Sequence, residues 1–182
     1  MTAGNVADVE SIDAIIAATY EVISGPAGKK RDWDRERSLF IPGARLIPTA
    51  TVPGRNDVDL APLVLDVEGY IARVESLFEK EGFYEKEIAR RVEQFGRIAH
   101  VWSTYESRHD PSDADPFMRG INSIQLFNDG KRWWILSIYW QHESAQAPLP
   151  EKYPSALNFA RRLLPHLHRL RMRVAIAFGS EA

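Results

Sequence analysis

The chain contains no cysteine. That excludes disulfides, thiol nucleophiles and thiolate metal sites, and leaves the redox compartment open. Charge of either sign is not in excess: 23 basic and 25 acidic side chains leave a formal −2. Nothing global therefore favours a polyanion or an anionic membrane as partner. No apolar run reaches transmembrane length. The N-terminal stretch Met-Thr-Ala-Gly-Asn-Val-Ala-Asp holds neither a basic n-region nor an apolar h-region. The expectation is a soluble, cytoplasmic protein with no nucleic-acid and no membrane partner. Internal repeats and low-complexity segments are missing too.

What is present is the composition of an ordinary globular domain. At 182 residues and 45% hydrophobic, the chain can bury one real core without splitting into several.

The stretch 83–143 organises the rest as a long antiparallel meander. Asn128-Asp129-Gly130 lies between runs rich in branched and aromatic residues, a hairpin signal. A two-residue Asp129-Gly130 loop would set Leu126 opposite Trp133, Ile124 opposite Ile135 and Asn122 opposite Ser137. One face would then carry Asn122, Ile124, Leu126, Trp133, Ile135, Ser137 and Tyr139. The other would carry Arg119, Ile121, Ser123, Gln125, Trp134, Leu136, Ile138 and Trp140. Both faces are too apolar for one wet side, so helices are expected on one and a second subunit or the C-terminal tail on the other. An earlier hairpin turning at Phe95-Gly96 would set Val92 opposite Ala99, Arg90 opposite Val101, Ile88 opposite Ser103 and Lys86 opposite Tyr105. Glu85, Glu87 and His100 would lie on the outer face, unless a bulge exchanged the faces.

Before the meander, residues 8–24 have helical spacing in Ile12, Ile15, Ile16, Thr19, Tyr20 and Ile23, ending at Ser24-Gly25-Pro26. Asp32 is a suitable N-cap for a short helix through Leu39-Phe40, and Pro42-Gly43 turns the chain. Short strands are expected at 44–51 and 62–65. Asp66 caps a helix with the stripe Tyr70, Ile71, Val74, Leu77 and Phe78, and Gly82 is its expected C′ stop. The loop 108–117 should be exposed. Beyond a Pro-containing linker at 145–154, the spacing is again helical, broken at Pro165. From Pro154 onward there are five arginines and one glutamate, a net +4, which leaves −6 for the rest. The expected organisation is an α+β domain over 1–153 and a basic, partly helical extension over 154–182.

The helices, short strands and meander describe a cone: a curved antiparallel sheet wrapped around N-terminal helices, with the C-terminal extension added. Several segments carry a family resemblance: Ile23-Ser24-Gly25-Pro26-Ala27-Gly28, Arg31-Asp32-Trp33, Ser38-Leu39-Phe40, Gly96-Arg97-Ile98-Ala99-His100-Val101, Ser103-Thr104-Tyr105-Glu106, Arg119-Gly120-Ile121-Asn122-Ser123-Ile124-Gln125-Leu126 and Arg132-Trp133-Trp134. In these the chain resembles the nuclear-transport-factor-2-like superfamily, with its cystatin-like fold and polyketide-cyclase-like members, over about residues 8–153. Within it the chain looks like a bacterial subgroup. The resemblance implies a pocket between the concave sheet face and the helices, and a homodimer through the convex face. It implies no single activity.

Candidate chemistry is correspondingly open. An isomerase site of the ketosteroid type needs a carboxylate base beside acidic tyrosines, and no Asp falls on the expected concave strand face. A dehydratase site of the scytalone type needs two pocket histidines, yet His100 is expected to face away. Arg31-Asp32 and Asp34 read as a helix cap and its first turn, not as an epoxide-hydrolase cluster. Gly28-Lys29-Lys30 lacks the spacing of a phosphate loop, and His166-x-His168 is not a ligand pair. Neither cofactor nor metal is expected. Catalytic residues are unassigned; Tyr20, Ser103, Tyr105, Asn122, Ser137 and Tyr139 are the pocket-lining candidates, with Trp33 and Trp133 as walls. Two readings stand: a small-molecule pocket for a hydrophobic or aromatic ligand, with lyase or isomerase activity by general acid–base chemistry, or a non-catalytic homodimeric interaction module.

Overall fold

A computed structural model describes residues 5–49 and 63–150. The extension expected at 154–182 lies outside the described residues, as does most of the turn region between the two expected short strands.

The first expected helix is two. A four-residue turn of helix, α1 (Val6–Val9), is followed by α2 (Ile12–Ile23), because Ser11 leaves helical geometry and its hydroxyl accepts the Ala14 amide. Ile15, Ile16, Ala18 and Val22 of α2 are buried. Asp32 caps the next helix, α3 (Trp33–Leu39), through the Arg35 amide, and Asp66 caps α4 (Val67–Lys80) through the Gly69 amide. Gly82 is not the left-handed stop expected for α4. Glu81 is already extended, and Gly82 is instead where a Cβ would collide with the His109 carbonyl.

Five strands form one curved, unclosed sheet: β1 (Phe40–Pro48), β2 (Tyr84–Phe95), β3 (Ile98–Arg108), β4 (Met118–Asn128) and β5 (Trp133–His142), in the order β1-β5-β4-β3-β2. The meander is antiparallel as expected, but β1 joins it parallel to β5. Pro42 and Gly43 do not end an element; they lie within β1, where its register against β5 shifts. The strand expected at 62–65 contributes one bridge among the described residues, Leu65 with Leu46.

Both hairpins turn later than expected. Phe95 pairs with Ile98, so Gly96-Arg97 is the loop, with Gly96 at φ +56°. A positive φ at the first central position suits strand twist. Asn128 pairs with Trp133, giving a four-residue loop in which the Asp129 carboxylate takes the amides of Lys131 and Arg132. These shifts of two residues leave the faces unchanged.

Two bulges do not. The β2–β3 register slips between Glu87 and Ala89, and the β4–β5 register slips between Gln125 and Leu126. Ile88 and Leu136 are the extra residues. Because side chains alternate, one insertion exchanges the faces of everything beyond it. In β2, Glu87 and Glu85 therefore stand opposite Tyr105 and Ser107 on the inner face, where Lys86 was expected opposite Tyr105. In β5, Ile138, Trp140 and His142 turn inward, opposite Ile124, Asn122 and Gly120, while Ser137 and Tyr139 turn outward.

The core lies between the inner sheet face and the helices: Ile15, Ile16, Leu39, Val101, Ile124, Leu126 and Ile135 are all within 2% of complete burial. Arg31 locks the end of α2 to the start of α3. Though buried, it meets no carboxylate among the described residues; its guanidinium donates to the carbonyls of Ile23, Gly25, Pro26 and Lys29 at 2.6–3.2 Å and lies over the Phe78 ring. The Ile23 carbonyl is an orphan acceptor of the last turn of α2, while those of Gly25 and Pro26 also accept the amides of Phe83 and Lys29. Arg31→Met keeps the stem but strands the Ile23 and Lys29 carbonyls, so urea unfolding should show a loss of about 2–4 kcal/mol. A change below about 0.5 kcal/mol would make the cluster incidental.

Candidate active site

A cavity of about 190 Å³ opens between the inner sheet face and the helices. Ile23, Leu46, Val74, Leu77, Phe78, Phe83, Met118 and Ile138 supply its apolar walls. Tyr70 of α4 meets Trp140 of β5 edge to face at 6.2 Å, and Phe78 packs on Phe83 at 5.0 Å. Into this mostly apolar space project the side chains of Glu36, Glu85, Tyr105, Asn122 and His142.

Glu85 reaches the cavity only because of the Ile88 bulge. Its Oε2 accepts the Ser107 hydroxyl at 2.8 Å. Enclosure pushes its pKa up to about 7, with hydrogen bonds from Ser107 and Asn122 opposing the rise. Glu36 enters from α3. It is 2% exposed, its Oε2 has no hydrogen-bond partner among the described residues, and burial alone raises its pKa to about 8. At neutral pH it is a carboxylic acid more than a carboxylate.

Tyr105 and His142 form a pair across three strands. The Tyr105 hydroxyl lies 2.7 Å from His142 Nδ1. Burial lowers the His142 pKa and raises that of Tyr105. Tyr105 therefore donates, and neutral His142 keeps its proton on Nε2. The residue between them is Gly120, paired with Tyr105 on one side and His142 on the other. A Cβ there would stand 2.5 Å from the Tyr105 hydroxyl oxygen. The missing side chain is what lets the phenol lie across β4.

A second polar chain runs behind the cavity wall. Asn122 Nδ2 donates to the Tyr20 hydroxyl at 3.0 Å, and Tyr20 Oη lies 2.7 Å from Ser103 Oγ. Ser103 donates to Glu87, which Arg90 holds through Nε and Nη2. The acceptor carboxylate at one end fixes every donor direction back to Asn122.

The expected pocket residues thus separate into groups. Tyr105 and Asn122 line the cavity. Tyr20 and Ser103 are buried one layer behind it, holding Asn122. Trp33 is a backing layer, stacked on Phe78 at 6.1 Å with its indole N–H on Glu75. Trp133 is buried near the far end of β5, opposite Asn128, and not at the cavity. Ser137 and Tyr139 are on the outer face, Tyr139 48% exposed, because the Leu136 bulge reverses the strand there. Trp140, expected at an outer interface, is inside for the same reason. Glu36, Glu85 and His142 are cavity residues not assigned from sequence. Glu85 and His142 needed the bulges; for Glu36 the one signal was an acidic residue three places before the buried Leu39. His100 faces outward as expected, at 3.0 Å from Ser123 Oγ. No group of three or more potential metal ligands occurs among the described residues, and none of their helices is long and apolar enough to cross a membrane.

The raised carboxyl pKa values give stability a pH dependence. Folded Glu85 and Glu36 bind protons more tightly than in the unfolded chain, where the reference value is 4.5. Their protonated contribution is complete below that value and is lost as pH rises through about 7 and about 8. Urea unfolding should show stability falling across this window. Glu36→Gln, which cannot ionise, should recover at least about 1 kcal/mol at the alkaline end. Equal slopes in the two proteins would mean that Glu36 is not held neutral.

No protein-family model matches the sequence, and no curated protein is similar to it in sequence. Solved structures are similar in fold. A candidate ketosteroid isomerase from Parabacteroides distasonis superposes with a TM-score of 0.50 at 14% identity, covering 75% of this chain and 92% of that one. An NTF-2-like protein of unknown function from Silicibacter pomeroyi gives 0.48 at 14% identity, over 74% of this chain and 94% of that one. A protein of unknown function with a cystatin-like fold from Nostoc punctiforme gives 0.48 at 8% identity, over 63% and 78%. With its helices on the concave side of a five-stranded curved sheet, the chain has the cystatin-like fold of the NTF2-like proteins.

Proposed function

We propose that this protein binds a small hydrophobic molecule, one ring in size, in the cavity and moves a proton on it in a lyase- or isomerase-type reaction. The observation that carries the reading is Glu85: a carboxyl turned into an apolar cavity, with a pKa of about 7. Such a group can take a proton and return it near neutral pH. Asn122 and Ser107 hold it; His142, which accepts the Tyr105 proton at Nδ1, keeps an Nε2–H to donate where charge would develop on the substrate. Size argues for one ring. An engineered cavity of about 150 Å³ takes benzene, and this one is about 190 Å³. The Parabacteroides structure is described as a candidate ketosteroid isomerase, which supports the reaction class; the cavity here, at about 190 Å³, is small for a steroid.

Nitrobenzisoxazole tests the reading without knowledge of the natural substrate: it is one fused ring system, and it opens to a coloured phenolate when a base removes its ring C–H proton. The chain should accelerate that opening, with a rate that rises with pH through about 7 as Glu85 ionises. Glu85→Gln should lose roughly a hundred- to ten-thousand-fold. A flat pH profile, or full activity in the variant, would remove Glu85 from the role.

The homodimer belongs to the same reading. Its interface would be the outer sheet face, where the second bulge leaves Leu136 and Tyr139 exposed. Sedimentation should show twice the chain mass, and Tyr139→Glu should shift it toward the monomer; monomer at high concentration would sink this interface.

A further inference from the structure

The geometry points to a hydrophobic amine, bound as its ammonium ion, as the ligand of this cavity, with Glu36 as its counter-ion. This rests on the pocket reading above and names the chemical class that the pocket selects.

Glu36 is the first observation. It is 2% exposed, it lines the cavity, and its Oε2 has no hydrogen-bond partner among the described residues. A buried, unsatisfied carboxyl oxygen is costly. Its neighbours on α3 do not relieve it. Arg35 is engaged by Asp8 and Glu21, and Arg37 by Glu68 and Asp34.

The second observation is the sign of everything else facing the same space. The titratable groups lining the cavity are Tyr70 from α4, Glu85 from β2, Tyr105 from β3 and His142 from β5. The lining residues of α2, β1 and β4 carry no charge, and among the described residues no Lys or Arg lines the cavity. An anionic ligand would face two carboxyls and, among the described residues, no cation. A neutral ketone or alcohol could use the polar atoms but leaves the charge balance as it is. An ammonium ion fits the set: it donates to Glu36, and the aromatic rings of Tyr70, Trp140 and Phe83 that border the same space tolerate a cation.

The binding step balances as a proton exchange. Glu36–COOH and R–NH₃⁺ give the Glu36–COO⁻/R–NH₃⁺ pair and one H⁺ released to solvent. The paired, hydrogen-bonded carboxylate replaces an orphaned acid, and a charge-assisted contact of this kind is roughly twice as strong as a neutral one.

Phenethylamine, phenethyl alcohol and phenylacetate share a ring and differ in the charge they carry. Calorimetric titration of the full chain near neutral pH should give phenethylamine the tightest binding, by about tenfold over each of the others. Repeating it in two buffers of different ionisation enthalpy should show a proton released with the amine and none with the alcohol. Glu36→Gln should abolish both the preference and the release while leaving alcohol affinity within about threefold. If the alcohol or phenylacetate binds as tightly as the amine, the amine assignment falls and the pocket reading stands. If none of the three binds, both fall. Should Glu36→Gln fail to fold, the ligand series and the proton count on the unsubstituted chain decide the matter alone. An amine preference that survives in a folded Glu36→Gln overturns the role of Glu36.

Discussion

The site depends on two single-residue insertions in the sheet, Ile88 in β2 and Leu136 in β5. Strand side chains alternate with a period of two, so an unpaired residue does more than bend the ladder. It reverses the facing of the strand beyond it. Without the first bulge, Ile88 would stand opposite Tyr105 and Lys86 opposite Ser107, and Glu85 would meet solvent. Without the second, Ser137 and Tyr139 would face the helices, and Trp140 and His142 would be outside. With both, one apolar surface receives a carboxyl, an imidazole and an indole together. Bulges that re-aim side chains beside functional sites are a recognised use of this irregularity.

The inward carboxyls are expensive. Burying an ion without a partner costs far more than one hydrogen bond returns. The protein meets this in two ways. Glu87 is paired: Arg90 holds it and Ser103 donates to it. Glu36 and Glu85 have no cationic partner in the cavity among the described residues, and their proton affinities rise instead. On the proposed reading, the same rise that spares the fold an unpaired charge also serves proton transfer at Glu85.

The Tyr105–His142 pair shows how a position with no side chain can matter as much as one with a reactive group. Neighbouring strands lie about 4.8 Å apart, so a residue on β3 reaches one on β5 only by crossing β4. Gly120 is the crossing point. Behind it, the Asn122–Tyr20–Ser103–Glu87 chain orients the amide that borders the cavity, and the buried Arg31 cluster fixes α2, which carries Tyr20.

Much of the scaffold was legible from local chemistry. The Asp32 and Asp66 caps, the apolar stripe of α2, the strand-rich run after Phe83 and the facing of Ala99, Val101, Ser103 and Tyr105 follow from spacing and side-chain type. Helix caps are short-range, and a period of two survives a turn displaced by two residues. The cavity was not legible in this way. Whether Glu85, His142, Ser137 or Tyr139 faces inward turns on where one extra residue leaves the ladder, and the pairs that flank the two insertions join residues 9 to 18 positions apart in the chain. Glu36 needed the packing of α3 against the sheet before its burial could be known. Sequence alone determined the elements and the period of each strand. Tertiary pairing decided the phase of that period, because only the hydrogen-bonded partner strand can tell a regular residue from an inserted one.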